Sequence, residues 1–194
     1  MRNVFLVVLF TALVFGCSSE KKSKQDAAGV QVAQKYNRVM AATDSAWNEM
    51  MASEDRKLEN IKLIIKELGL IDGNSAKHLE QINGDLESLK NNRYDRFSMA
   101  NSALIDRYDS LTNALIGELR KEIHFNKEAV KYQVVNQLMA EIQSADDSVL
   151  FLRQAYDKKI DRWKTYVKEN RKKLSDLISN PDSLKNLHYF RLMP

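Results

Sequence analysis

The stretch VNQLMAEIQSADDSVLFLRQAYDKKIDRWKTYV, residues 135–167, decides the fold. Val135, Leu138, Ile142, Ala145, Val149, Leu152, Tyr156, Trp163 and Tyr166 fall at steps of three and four residues, or multiples of them, and follow a seven-residue repeat. That spacing places them on one side of a single helix. Ile160, Val167 and Leu174 widen the stripe toward its end. The helix is expected from about Asn126 to a point before Asn180-Pro181, because the residue preceding a proline avoids helical geometry.

Two further runs precede it. Val32, Tyr36, Val39, Thr43, Trp47, Met50, Leu58, Ile61, Ile65 and Leu68 mark a first helix from Val30 to Leu68, with Gly69 placed for a left-handed cap and Asp72-Gly73-Asn74 for a turn. A second run begins near Ser75, a candidate N-cap, and passes Leu79, Ile82, Leu86, Leu89, Phe97, Leu104, Tyr108, Leu111, Leu115 and Leu119. Gly84 and Gly117 weaken that helix without having to break it. Only six Gly and two Pro occur in 194 residues, so long elements are favoured over many short ones. The expected fold is all-α: a long antiparallel three-helix bundle spanning residues 30–179, with coiled-coil-like packing. A tail, 180–194, carries a short helical segment that caps one end.

The N-terminus reads differently. Arg2 precedes an almost unbroken apolar run from Val4 to Phe15, too short for the ~20 residues of a membrane-spanning helix and suited to a secretory signal over residues 1–16. The run ends Val14-Phe15-Gly16-Cys17. This resembles the lipobox of bacterial lipoproteins, in which an aliphatic residue (Val14), a small residue (Gly16) and the lipid-accepting Cys17 stand in order. The resemblance implies a mature chain that begins at Cys17 and is held to a membrane by acyl chains, each buried CH₂ contributing about 0.8 kcal/mol. Ser18, rather than Asp, after the cysteine implies the outer membrane by the enterobacterial sorting rule. Residues 17–29 are polar after Cys17 and read as a flexible tether.

At the third helix the chain resembles the LemA family. Val135, Leu138, Ile142, Asp146, Val149, Arg153, Tyr156-Asp157, Ile160 and Trp163-Lys164 keep the register of that family's pattern. Tyr36-Asn37, Ala46-Trp47 and Tyr189-Phe190 resemble it more loosely, and two prolines of the pattern are missing. The resemblance implies a helical bundle with an N-terminal membrane attachment and brings no catalytic residues.

Catalytic chemistry is not signalled. Cys17 is the only cysteine, and His78, His124 and His188 are scattered without the four-residue spacing of a helical zinc site. There is no phosphate-binding glycine loop and no nucleophile elbow. A non-catalytic protein without metal or cofactor is expected, with an envelope protein as partner and self-association possible along a thin bundle; the alternatives are a ligand-binding or enzymatic envelope protein with a pocket at a bundle end, and a surface-displayed antigen or adhesin. Asp146, Arg153 and Tyr156 are expected to form a polar layer that fixes register between helices; the plainer alternative is that Arg153 extends its head to water. Residues 153–191 hold 11 Lys/Arg against 5 Asp/Glu, a net +6 in a chain of net +4. Such a segment faces anionic headgroups or an acidic partner, or is simply solvated. Its aromatics Tyr156 and Trp163 belong to the apolar stripe, so no nucleic-acid partner is expected.

Overall fold

A computed structural model of the chain describes residues 17–177 and 187–190, with side chains from residue 28 onward. The described residues are all-helical: α1 (Cys17–Leu68), α2 (Ala76–Asn91), α3 (Ser102–Phe125) and α4 (Gln133–Leu177), with 3₁₀ turns at Ser98–Ala100 and Ala129–Lys131. Val14 and Gly16, the signal segment 1–16, and most of the 180–194 tail lie outside the described residues.

Four helices therefore stand where three were expected, because the second run is interrupted at residues 92–101. Neither glycine causes the break. Polar side chains do. Asn92 closes α2, and the Asp95 carboxylate accepts from the backbone N–H of Phe97 at 2.8 Å and of Ser98 at 2.7 Å. The Ser98 hydroxyl accepts in return from the Asp95 N–H at 2.8 Å. Asn101 then caps α3 by accepting from the Ala103 N–H. Asp, Asn and Ser offer the backbone these local partners and so compete with helix continuation.

The same device starts α4 at Gln133 rather than near Asn126. The Asn126 amide oxygen accepts from the N–H groups of Glu128 and Ala129, and its NH₂ donates to Asp72 O and Asn74 Oδ1. The α1–α2 and α3–α4 loops are thereby tied together. Ser75 caps α2 as expected, accepting from the His78 N–H. The left-handed residue of the first loop is Gly73, with φ 91°, not Gly69. Leu70 and Ile71 instead donate to Glu67 O and Leu68 O in tight i→i+3 turns, which satisfy the last carbonyls of α1.

Residues 18–29 form the opening turns of α1, where a tether was expected. The stretch has no proline, and its Lys, Gln, Glu and Ala favour a helix over the weaker Ser, Asp and Gly29. At 52 residues, α1 is roughly 78 Å long.

α1 and α4 run antiparallel along most of their length. Asn60 donates to Glu141, Lys57 to Asp146 and Tyr166 to the carbonyl of Val32, and Thr43 Oγ1 lies 3.5 Å from the carbonyl of Lys159. The buried positions of α1 recur every seven residues: Tyr36, Thr43, Met50, Lys57 and Ile64. α2 and α3 fold as a hairpin over only one half of this pair. The hairpin and its connecting loop meet α1 from Asp44 onward and α4 as far as Tyr156. The molecule thus has a four-helix head and a two-helix arm, the arm being residues 28–43 of α1 with 158–177 of α4. The head core is aliphatic, with Ile61, Ile64, Leu68, Ile82, Leu86, Leu89, Leu119 and Ile142 all buried. Residues 187–190, the described part of the tail, are not helical and lie where head meets arm. Among the described residues no helix is long and apolar enough to cross a membrane.

Candidate functional site

Buried and half-buried polar side chains form two layers, one in the head and one at its junction with the arm. The inner layer lies between α1, α3 and α4. Lys57 and Glu54 are both buried and pair at 3.0 Å. Lys57 also donates to Asp146 at 3.3 Å, and the Tyr108 hydroxyl donates to Glu54 at 3.1 Å. Every charge here has a partner, which is the condition for burying one at tolerable cost. Glu54 and Lys57 carry no motif, and the sequence reading missed them. One signal was present: Lys57 occupies the seven-residue series of Tyr36, Thr43, Met50 and Ile64, so it had to point inward.

The outer layer sits at the junction. Arg153 of α4 makes a bidentate pair with Asp109 of α3, both bonds 2.7 Å, and donates to the Tyr94 hydroxyl at 3.2 Å. Arg96, in the α2–α3 loop, donates to the Tyr156 hydroxyl at 3.2 Å and pairs with Asp44 of α1. The expected layer of Asp146, Arg153 and Tyr156 is therefore divided. Asp146 belongs to the Lys57 layer, while Arg153 and Tyr156 belong to the junction, each with a partner from α3 or the α2–α3 loop. Seven residues along a helix are about 10.5 Å of rise, too far for Asp146 and Arg153 to meet the same partner directly.

An aromatic cage fills the junction. Phe190 from the tail contacts Trp47 (ring centroids 6.2 Å, stacked), Tyr94 (5.8 Å) and Tyr156 (5.7 Å). The Arg153 guanidinium lies 5.1 Å from its ring centroid, a cation–π arrangement. The Phe190 N–H donates to Asp157 at 2.9 Å, and the Tyr189 hydroxyl donates to Asp161 at 3.0 Å while Lys164 sits 4.1 Å over the Tyr189 ring. One nitrogen of each junction arginine, Arg96 Nη2 and Arg153 Nε, has no acceptor among the described residues, and each guanidinium lies over an aromatic ring instead.

These surroundings set the ionisation. Burial pushes the Tyr94 phenol up to about 12, against the opposing pull of Arg153. Burial also raises Tyr108, with Glu54 adding to it, and raises Tyr156. For Arg153 burial works against the charge, but the Asp109 hydrogen bonds and the contact with Tyr94 outweigh it and hold the group above its ordinary value. Phenols held neutral beside arginines held cationic make a recognition and packing surface; none is poised as a base at neutral pH.

A cleft of about 260 Å³ opens beside this layer, lined by Asp106, Asp109, Arg153, His188, Tyr189 and Phe190 among others. A second, of about 370 Å³, lies at the far end of the head between Arg120, His124, Asn136, Met139 and Gln143. Of the three histidines, His78 lies 3.4 Å from Glu122, His124 packs edge-on to Phe125 and His188 lines the first cleft. Among the described residues no three His, Cys, Asp or Glu side chains are grouped to hold a metal ion. Cys17 is the first residue of α1.

No family model matches this chain, no curated protein matches it, and no solved structure matches it.

Proposed function

We propose that this chain is a LemA-like envelope lipoprotein, attached to a membrane through Cys17, whose helical bundle carries no reaction and binds or scaffolds other envelope proteins. The observation that supports this most directly is the continuity of α1. It runs helical from Cys17 to Leu68, so whatever holds Cys17 also sets the distance of the head from that point. The opposite end of the molecule, at the tied loops, exposes Phe125 (81%) and Leu70 (72%), together with Val130, Tyr132 and Val134. A group of exposed apolar side chains on a rigid end suits contact with a partner. In this reading α1 and α4 pack as an antiparallel coiled coil, the outer membrane is the site of attachment, and the kinship with LemA proteins rests on the pattern from Val135 to Lys164.

The test has two arms. Labelled palmitate fed to cells is expected to enter the wild type and not Cys17→Ala, with the variant leaving the membrane fraction. A photo-cross-linking residue at position 125 is expected to capture discrete envelope proteins in intact cells, while one at position 88 does not. Unchanged labelling of the variant, or equal capture from both positions, contradicts the proposal.

A second reading, a ligand-binding protein with its pocket at the bundle end, is favoured by the cleft around Arg120, His124, Asn136 and Gln143. Small-molecule protection of the melting transition, lost in His124→Ala, distinguishes it.

A further inference from the structure

Charge divides along the long axis of this molecule. The arm, residues 28–43 and 158–177, holds 10 Lys/Arg against 3 Asp/Glu, a net +7; residues 44–157 hold 14 against 20, a net −6. Because α4 runs back along α1, its basic end returns to the beginning of the chain. Leu177 lies against Gly29, 3.4 Å from where a Cβ on that glycine would stand. Gly29 is 12 residues from Cys17 within the same helix, roughly 18 Å of rise. An up-down-up bundle would have carried the same lysines to the opposite end.

We propose that the arm is a docking surface for anionic lipid headgroups. Lys35, Arg38, Lys158, Arg162, Lys168 and Lys172 are all exposed. The four on α4 project away from the seam formed by Ile160, Trp163, Tyr166 and Leu174, which are buried against α1. Their spacing of four, six and four residues keeps them on one side of the helix. Of the three acidic residues in the arm, Asp161 already accepts a hydrogen bond from Tyr189; Glu169 and Asp176 are exposed and dilute the surface without reversing it. Exposed lysine and arginine attract an anionic bilayer within a Debye length of about 8–10 Å, so the arm must lie along the surface rather than stand on it. The acidic head is repelled by the same surface, so the charge division orients the molecule as well as attaching it. The acidic head of a second copy offers the same sign of charge, but it lies at the end remote from Cys17. The proposal rests on the membrane reading above only for the direction from which the lipid comes.

The test uses residues 17–194, which contain every described helix, with Cys17→Ser so that no acyl chain contributes. Co-sedimentation is measured with vesicles of phosphatidylcholine alone and with about one-third phosphatidylglycerol, at about 0.1 M salt. Binding to the anionic vesicles is expected to exceed binding to the neutral ones roughly tenfold or more, and to fall steeply at higher salt. The variant Lys158→Ala/Arg162→Ala/Lys168→Ala/Lys172→Ala is expected to lose roughly tenfold or more of that binding while melting like the parent. Equal binding to both vesicles, or a variant that binds like the parent, overturns the proposal. So does a chain that ignores anionic vesicles and forms a salt-sensitive dimer abolished by the same variant, which would assign the arm to the head of a second copy. Cys17 acylation is read separately, so failure of the anchor and failure of the arm are told apart.

Discussion

In the head, α1 and α4 are covered by α2 and α3; in the arm, among the described residues, the same two helices pack on each other and meet only Tyr189 of the tail. The consequences differ in kind. The head buries aliphatic side chains on four helices and encloses a charged network in which Lys57, Glu54, Asp146 and Tyr108 satisfy one another. The arm relies on a single seam of larger, partly polar groups, Tyr36, Thr43, Ile160, Trp163, Tyr166 and Leu174. Its charges are mostly exposed and predominantly basic, 10 Lys/Arg against 3 Asp/Glu. Stability is therefore concentrated in the head, and a repulsive, exposed surface is tolerated only where little depends on it. The tail, through Phe190, sits at the boundary and joins the two.

The comparison can be broken most forcefully in the cores. Ile61 and Leu174 are both fully buried, the first in the head and the second near the arm's end. Ile61→Ala is expected to cost about 3 kcal/mol in global unfolding. Leu174→Ala is expected to fray the arm and leave the head's denaturation midpoint almost unchanged; equal shifts would erase the distinction.

Alkaline pH acts next. Tyr94 has a folded-state value of about 12 against 10 for the free phenol. Its contribution to stability is thus complete below pH 10 and is lost as pH rises through 12, up to about 2–3 kcal/mol. Tyr108 and Tyr156 shift in the same direction. Denaturant midpoints measured between pH 9 and about 12 are expected to fall for the wild type, and less so for Tyr94→Phe.

Arg153→Ala removes the partner of Asp109, the donor to Tyr94 and the cation over Phe190 together. About 2 kcal/mol is expected, less than for a fully buried pair because the Asp109 side chain is 39% exposed. The thermal midpoint is expected to fall by several degrees, and an unchanged midpoint would remove the junction's structural role. The smallest effect belongs to the arm. The Thr43 hydroxyl bonds back to the Val39 carbonyl at 2.9 Å, so Thr43→Val is expected to change stability by less than about 1 kcal/mol in either direction.

The helices were legible in the sequence wherever apolar periodicity spoke alone: α1 through Leu68, the Ser75 cap, and α4 from Val135 onward. The break at residues 92–101 was not, because hydrogen bonds from Asp95, Ser98 and Asn101 make it, and such residues are also common on helix surfaces. Missing that break reversed the direction of the last helix relative to the first, and with it the end of the molecule to which the basic segment belongs. At the candidate site, Arg153 and Tyr156 were legible as polar or aromatic groups on a packed face. Their partners were not. Asp109 is 44 residues from Arg153 and Arg96 is 60 from Tyr156, and only the α2–α3 hairpin brings them together. The landing of Phe190 on Trp47, Tyr94 and Tyr156 likewise depends on three separate segments.

Hydrogen exchange on the intact chain tests the division of the molecule most directly, because amide protection reports local opening free energy segment by segment. Amides of residues 50–66, 79–89, 108–123 and 138–155 are expected to share the slowest, global rate, while those of 30–42 and 160–176 exchange faster by sub-global opening. Uniform protection along α1 and α4 would contradict the account, since the arm would then be as firmly held as the head.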